Sequence, residues 1–261
     1  MSESPIVRDE IERGIVRLTF NRPEKLNALS MPLMQALGAE VDRLQGEAAT
    51  RVVILTGAGE RAFVAGADIA EYRGNRTKEF IAFQTESRRI FDKLEALPMP
   101  TIAAIRGYAL GGGFEIALCC DVIICAESAR LGLPEGLLGM SPGGGGTQRL
   151  TRAVGKYLAS DIMLAARRIT GERAYSLGLA AALCPDESLA EAVLERARAM
   201  LKVAPQAQAA MKRLIRQGAD GALPLSQSFE QEVLFRLYGT EDGQEGIAAF
   251  LDKRDPVFTG R

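Results

Sequence analysis

Apolar positions recur along the first half of the chain in two different rhythms. Gly14-Ile15-Val16-Arg17-Leu18-Thr19-Phe20 alternates as a half-exposed strand does. Arg51-Val52-Val53-Ile54-Leu55-Thr56, Thr101-Ile102-Ala103-Ala104-Ile105 and Val122-Ile123-Ile124-Cys125 are instead continuous apolar runs, the pattern of strands covered on both faces. Between them, Leu33, Met34, Leu37, Val41 and Leu44 follow the helical repeat behind Ser30, a capping residue, with Pro32 in the first turn. A second helix, from about Lys78 to Leu97, turns Phe80, Phe83, Ile90, Phe91, Leu94 and Leu97 inward and ends before Pro98 and Pro100. From about Lys156, helix follows helix, with only a short apolar run at Ala180 to Leu183 and punctuation at Gly178 and Pro185. The pattern predicts an α/β core followed by a helical C-terminal part, without a low-complexity linker or internal repeat.

Composition narrows the class. A chain of 261 residues builds one large domain, or one with a smaller helical appendage. It is 47% hydrophobic and 25% charged, as globular proteins are. Thirty-two Lys+Arg against 33 Asp+Glu leave a net charge of −1, so no overall basic footprint for nucleic acid exists. Cys119, Cys120, Cys125 and Cys184 form no Cys-x-x-Cys pair and read as reduced, mostly buried thiols of a cytoplasmic protein. With no histidine in the chain, mixed Cys/His zinc sites are excluded. Met1 to Glu12 is polar and acidic, unlike a signal peptide. The longest apolar stretch, Tyr108 to Ala126, is broken by Glu115, Asp121 and three glycines, which makes it a core segment and not a membrane span.

Without histidine, acid-base chemistry near neutral pH falls to carboxylates, thiols, lysines or tyrosines. Two glutamates stand out. Glu115 follows Gly111-Gly112-Gly113-Phe114 and precedes Ile116-Ala117-Leu118-Cys119-Cys120; Glu135 follows Pro134 between leucine-rich stretches. Apolar surroundings raise a carboxyl pKa, which suits such groups to proton transfer. Gly111 to Gly113 leads directly into a helical pattern, Phe114 to Cys120, placing backbone N–H groups at a positive helix end where they can hold a developing negative charge. A second N–H from Ala65-Gly66-Ala67-Asp68 would complete a two-donor oxyanion hole. Gly57-Ala58-Gly59-Glu60-Arg61-Ala62 formally matches a dinucleotide fingerprint, but no helix opens after it and the one acid at a suitable distance, Glu79, falls inside a predicted helix. Gly143 to Gly146 reads as a flexible turn; no Gly-Lys-Ser/Thr follows it, so it is not a P-loop.

Asn21-Arg22-Pro23-Glu24-Lys25-Leu26-Asn27-Ala28-Leu29, Phe63 to Ile69, Gly107 to Asp121, Pro134 to Leu150 and Glu241 to Arg254 together resemble the crotonase (enoyl-CoA hydratase/isomerase) superfamily, and most closely its enoyl-CoA hydratases. The resemblance spans the whole chain, with several motifs in order. It implies a ClpP/crotonase-type spiral of ββα units over residues 1–195 and a helical region, 196–261, used for trimerisation. It implies oxyanion-hole amides at Ala67 and Gly112, and catalytic glutamates at Glu115 and Glu135. Coenzyme A contacts are implied at Lys25, Leu26, Ala28, Ala65, Ala67, Asp68, Ile69, Gly111, Gly112 and Pro134. Phe250 and Lys253 match positions that touch the coenzyme A of a neighbouring subunit in a trimer or hexamer. Phe114 stands where many short-chain hydratases carry cysteine, a departure that bears on acyl-chain preference.

The implied substrate is an acyl-CoA thioester, with no cofactor beyond the coenzyme A it carries, no metal, no nucleic acid and no membrane. Syn addition of water to a 2-trans-enoyl thioester needs one ionised glutamate to activate water at C3 and one protonated glutamate to deliver a proton to C2. The helix dipole favours Glu115 as the carboxylate, leaving Glu135 as the acid, although the two titrate as a pair. The alternatives are a carnitinyl-CoA dehydratase, an enoyl-CoA isomerase, which typically lacks the first glutamate, and a non-catalytic RNA-binding homologue. The last would want a basic helical face, whereas Lys78, Arg88, Arg89 and Lys93 are mixed with Glu79, Glu86 and Asp92.

Overall fold

From Val52 to Gly132 the strands are dealt alternately to two sheets. The computed structural model describes residues 4–74 and 76–261, so the start of the polar N-terminal stretch, residues 1–3, lies outside the described residues. The strands are β1 (Ile6–Glu12), β2 (Ile15–Phe20), β3 (Val52–Gly57), β4 (Ala62–Val64), β5 (Thr101–Ile105), β6 (Tyr108–Leu110), β7 (Val122–Ala126), β8 (Arg130–Gly132), β9 (Ile169–Thr170) and β10 (Ala182–Cys184). The helices are α1 (Met31–Gln45), α2 (Thr77–Glu95), α3 (Gly112–Cys119), α4 (Gly146–Val154), α5 (Lys156–Leu164), α6 (Gly171–Ser176), α7 (Leu189–Leu201), α8 (Pro205–Gly218), α9 (Leu223–Tyr238) and α10 (Glu241–Leu251). One sheet has the order β1-β2-β3-β5-β7-β10, the other β4-β6-β8-β9. The pairs β3/β4, β5/β6 and β7/β8 each give one strand to each sheet, and α2, α3 and α4 follow them in turn. This is the winding of a ββα spiral.

The apolar runs at β3, β5 and β7 are continuous because their sheet is covered on both sides. Leu18, Phe20, Val53, Leu55, Ala103 and Ile105 join α1 and α2 in the larger core, where Phe20 and Phe63 meet edge to face at 5.4 Å. Ile15, Val52, Ile54, Ile102, Ala104 and Ile124 pack instead with Leu189, Val193 and Ala197 of α7. The expected boundary after residue 195 falls inside α7, so the part packed on the sheet continues to Leu201. Ser30 caps α1 as expected, accepting from the Leu33 N–H.

Two features depart from the sequence reading. Ile6–Glu12 is an edge strand antiparallel to β2; its charges hide the alternation, and Arg8 is held by Glu40 and Glu47. Phe80, expected inside, is only half-buried. The apolar stripes of α9 and α10 are largely uncovered: Leu225 is 73% exposed and Phe250 83%, while Val233 is buried. All four cysteines are free thiols; burial pushes Cys120 and Cys125 up to about 12. No helix among the described residues is long and apolar enough to cross a membrane.

Candidate active site

The chain crosses from β6 into α3 through Gly111, whose φ of 51° and ψ of −127° suit only glycine. A β-carbon added there would also meet Glu135 Oε1 at 3.0 Å. Gly112 is the first residue of α3, so its N–H belongs to the group that no helical carbonyl can satisfy. The second donor comes from the segment after β4. The Ala65 N–H donates to Leu26 O at 3.1 Å, Leu29 N–H to Gly66 O at 2.8 Å, and Asp68 N–H to Leu29 O at 2.8 Å. This parallel bridge between Leu29 and Ala67 turns the Ala67 N–H away from the ladder. Ala67 and Gly112 line one cavity of about 760 Å³.

Glu115 occupies the first turn of α3 and is 4% exposed. Its Oε1 accepts the backbone N–H groups of Gly144 and Gly146, each at 2.8 Å. β-Carbons at those positions would stand 2.7 Å from Glu115 Oε2 and 3.0 Å from Oε1, so side chains there would displace the carboxylate. Gly143 to Gly146, read from the sequence as a flexible turn, is thus a cradle for Glu115. Arg149 braces it: Nη1 donates to Gly144 O at 2.7 Å, while Nε and Nη2 grip Glu95 at 2.9 and 2.8 Å. Burial raises the Glu115 pKa, and the two glycine N–H groups with Arg149 and Arg88 oppose that rise.

Glu135 opens a single 3-10 turn, Glu135–Leu138, after Pro134. Its Oε2 is buried and has no hydrogen-bond partner among the described residues. Burial pushes its pKa up to about 7; the Glu115 charge adds to the rise and its own backbone N–H partly offsets it. A protonated carboxyl would present an O–H donor from that orphaned oxygen. The two glutamates therefore differ: one is held by donors suited to a carboxylate, the other by surroundings suited to an acid.

Of the residues singled out in the sequence, Ala65, Ala67, Ile69, Gly111, Gly112, Glu115, Pro134 and Glu135 line the cavity together. Lys25, Leu26, Ala28 and Asp68 do not. Lys25 is exposed on the 3-10 turn Pro23–Lys25, and the segment from Leu26 to Leu29 runs beside the Ala65–Asp68 loop. The Asp68 carboxylate is paired with Arg22 at 3.2 Å, and Arg22 also donates to Ala28 O, so Asp68 clamps the two loops to each other. Phe250 and Lys253 are also absent from the lining. Phe114 is fully buried and packs in the larger core, so it does not shape the cavity wall.

The sequence reading missed a whole wall. Tyr72, Phe80, Phe83, Gln84, Ser87 and Phe91 line the cavity from α2 and the turn before it. The available signal was Gln84 and Ser87, two polar residues set at helical spacing among phenylalanines. Burial raises Tyr72 to about 12, which keeps its hydroxyl protonated. Three of the outer cations of α2 are paired: Arg88 with Asp92, Arg89 with Glu86, and Lys93 with Asp42. The site therefore combines two backbone N–H groups outside helix and ladder bonding, one cradled carboxylate and one protonatable carboxyl in a largely apolar cavity. Such a set can stabilise an enolate-like anion and move a proton beside it.

Comparison with known proteins agrees with that chemistry. The family model described as "Enoyl-CoA hydratase/isomerase" matches residues 10–261. The 2,3-dehydroadipyl-CoA hydratase of Escherichia coli (strain K12) is 40% identical over 262 residues, covering 100% of both chains. The short-chain-enoyl-CoA hydratase of Clostridium acetobutylicum is 38% identical over 245 residues, 94% of each. Among solved structures, an enoyl-CoA hydratase from Bacillus anthracis superposes with a TM-score of 0.96 at 38% identity, covering 98% of this chain and 100% of that one. The ββα spiral with its helical C-terminal region is the crotonase fold.

Proposed function

This chain belongs to the enoyl-CoA hydratase/isomerase family, and we propose that it works as a hydratase, adding water reversibly to a 2-trans-enoyl-CoA to give a 3-hydroxyacyl-CoA. The observation that carries this reading is the pair of unequal glutamates in one cavity: Glu115 cradled by two N–H groups, Glu135 with a buried, unpartnered oxygen. The thioester oxygen would sit between the Ala67 and Gly112 N–H groups, which stabilise it as electrons flow from the double bond. Glu115, as the carboxylate, would take a proton from the attacking water, and Glu135 would give its proton to C2. Each oxyanion donor is worth on the order of 100- to 1,000-fold in rate. No cofactor enters beyond the coenzyme A of the substrate, and the reading keeps the enzyme in the cytoplasm.

Retention of both glutamates favours hydration over isomerisation, which needs one carboxylate to shuttle a proton. The pairing of Arg88, Arg89 and Lys93 with acids weighs against an RNA-binding role. The exposed apolar faces of α9 and α10 support assembly as a trimer or a dimer of trimers, in which Phe250 and Lys253 reach a neighbour's coenzyme A. Loss of the enoyl absorbance of crotonyl-CoA, followed for the wild type, Glu115→Gln and Glu135→Gln, tests the assignment. Each variant should lose at least about 100-fold in kcat, with the double variant far from additive. Near-native turnover in either single variant would remove that glutamate from the mechanism.

A further inference from the structure

The wall formed by α2 contains a polar group with nothing to bond to. Ser87 is 4% exposed, lines the cavity, and its Oγ has no hydrogen-bond partner among the described residues. A serine inside a helix ordinarily returns its hydroxyl to the carbonyl one turn back, and no such bond is present here. Buried orphans of this kind carry a cost that a partner from outside the chain removes. One turn earlier on the same face, Gln84 Nε2 donates to the Tyr72 hydroxyl at 3.3 Å, and that hydroxyl keeps its own proton to give. Gln84 Oε1 lies against Gly143, next to the loop that cradles Glu115, so this polar strip borders the reacting end of the cavity. An acyl pocket meant only for alkyl chains would have no use for two hydroxyls and an amide among Phe80, Phe83 and Phe91.

We propose that Ser87, with Tyr72 and Gln84, recognises an oxygen function on the acyl chain, a hydroxyl or a carboxyl beyond the double bond, so that the preferred thioesters are polar-ended. This rests on the acyl-CoA reading of the site and adds the class of acyl group. Two hydroxyl donors on one wall suit an acceptor oxygen from either source. Among the described residues no Lys or Arg lines the cavity, so recognition would run through hydrogen bonds without a counter-ion.

Calorimetric binding of saturated thioesters separates this from the hydratase assignment, because it needs no turnover. Hydroxy- and carboxy-ended acyl-CoAs of four to six carbons form two arms, each measured against the alkyl thioester of equal length. In at least one arm the wild type should bind the polar-ended member about five- to tenfold more tightly, the worth of one or two neutral hydrogen bonds. Ser87→Ala should bring that ratio close to one, and Gln84→Leu should reduce it; the arm that responds identifies the oxygen source. Ratios near one for every wild-type pair, or a preference that survives both substitutions, would overturn the proposal. If crotonyl-CoA is not hydrated at all, the reaction assignment fails while the binding ratios still decide this one.

Discussion

Arg149 does not line the cavity, yet the geometry of Glu115 depends on it. Its fork holds Glu95 through two bonds and Asp92 at 3.3 Å, and its remaining nitrogen fixes the Gly144 carbonyl at 2.7 Å. The same peptide strip sends the Gly144 and Gly146 N–H groups to Glu115. Changing Arg149 to Met leaves the Glu95 carboxylate, whose side chain is 27% exposed, facing an apolar stem. Breaking such a pair from one side costs about 3 kcal/mol of stability. The catalytic loss comes from misalignment: a shift of about 1 Å in the glycine strip is enough for roughly 100-fold in kcat. A merely structural role would stop there. A positioning role predicts a further change, since the two N–H bonds and the Arg149 charge all lower the Glu115 pKa. Weakening them raises it, so the acid limb of the kcat/KM profile should move to higher pH in Arg149→Met. Arg149→Lys, which keeps the charge without the fork, should move it less. A folded Arg149→Met enzyme with unchanged kcat and an unmoved acid limb would refute the reasoning.

Glu135 makes a prediction about stability and pH. Its folded pKa, about 7, lies above the ordinary 4.5, so holding the carboxylate inside the fold opposes folding increasingly as pH rises from 4.5 to about 7. Glu135→Gln should therefore be more stable than the wild type at pH 8, by about 1–2 kcal/mol once partial exposure is allowed for. The two should unfold alike in urea at pH 4; equal stability at both pH values would contradict the burial of this group. Phe114→Leu should cost about 1–3 kcal/mol while leaving acyl-chain preference unchanged, because Phe114 packs in the core; a changed chain-length profile in steady-state assays would put it in the site. Sedimentation should show a trimer or hexamer, and Lys253→Ala should raise KM before it touches kcat; a fully active monomer would rule out a site shared between subunits.

Much of this molecule was legible along the chain because its signals are local. The buried strands announce themselves as continuous apolar runs, and α1 by its cap and stripe. Gly111 to Glu115 could be read as one half of an oxyanion hole because one donor, the helix end and a carboxylate lie within five residues. Glu135, Ala67 and Gly112 came together through a resemblance in motif order, which carries spatial information that no window of residues holds. What escaped was set by contacts distant in sequence. β1 is a strand because β2 supplies its partner, whatever its charges suggest. Gly144 and Gly146 are 29 and 31 residues from Glu115, and glycine's permissive backbone makes such a loop look flexible until a carboxylate occupies it. Gln84 and Ser87 look like ordinary polar residues of an amphipathic helix, and Phe80 and Phe83 like its apolar face. Which side of that helix meets core and which meets cavity follows from how α2 packs on α1 and α3, a matter of three-dimensional placement that helical periodicity leaves open.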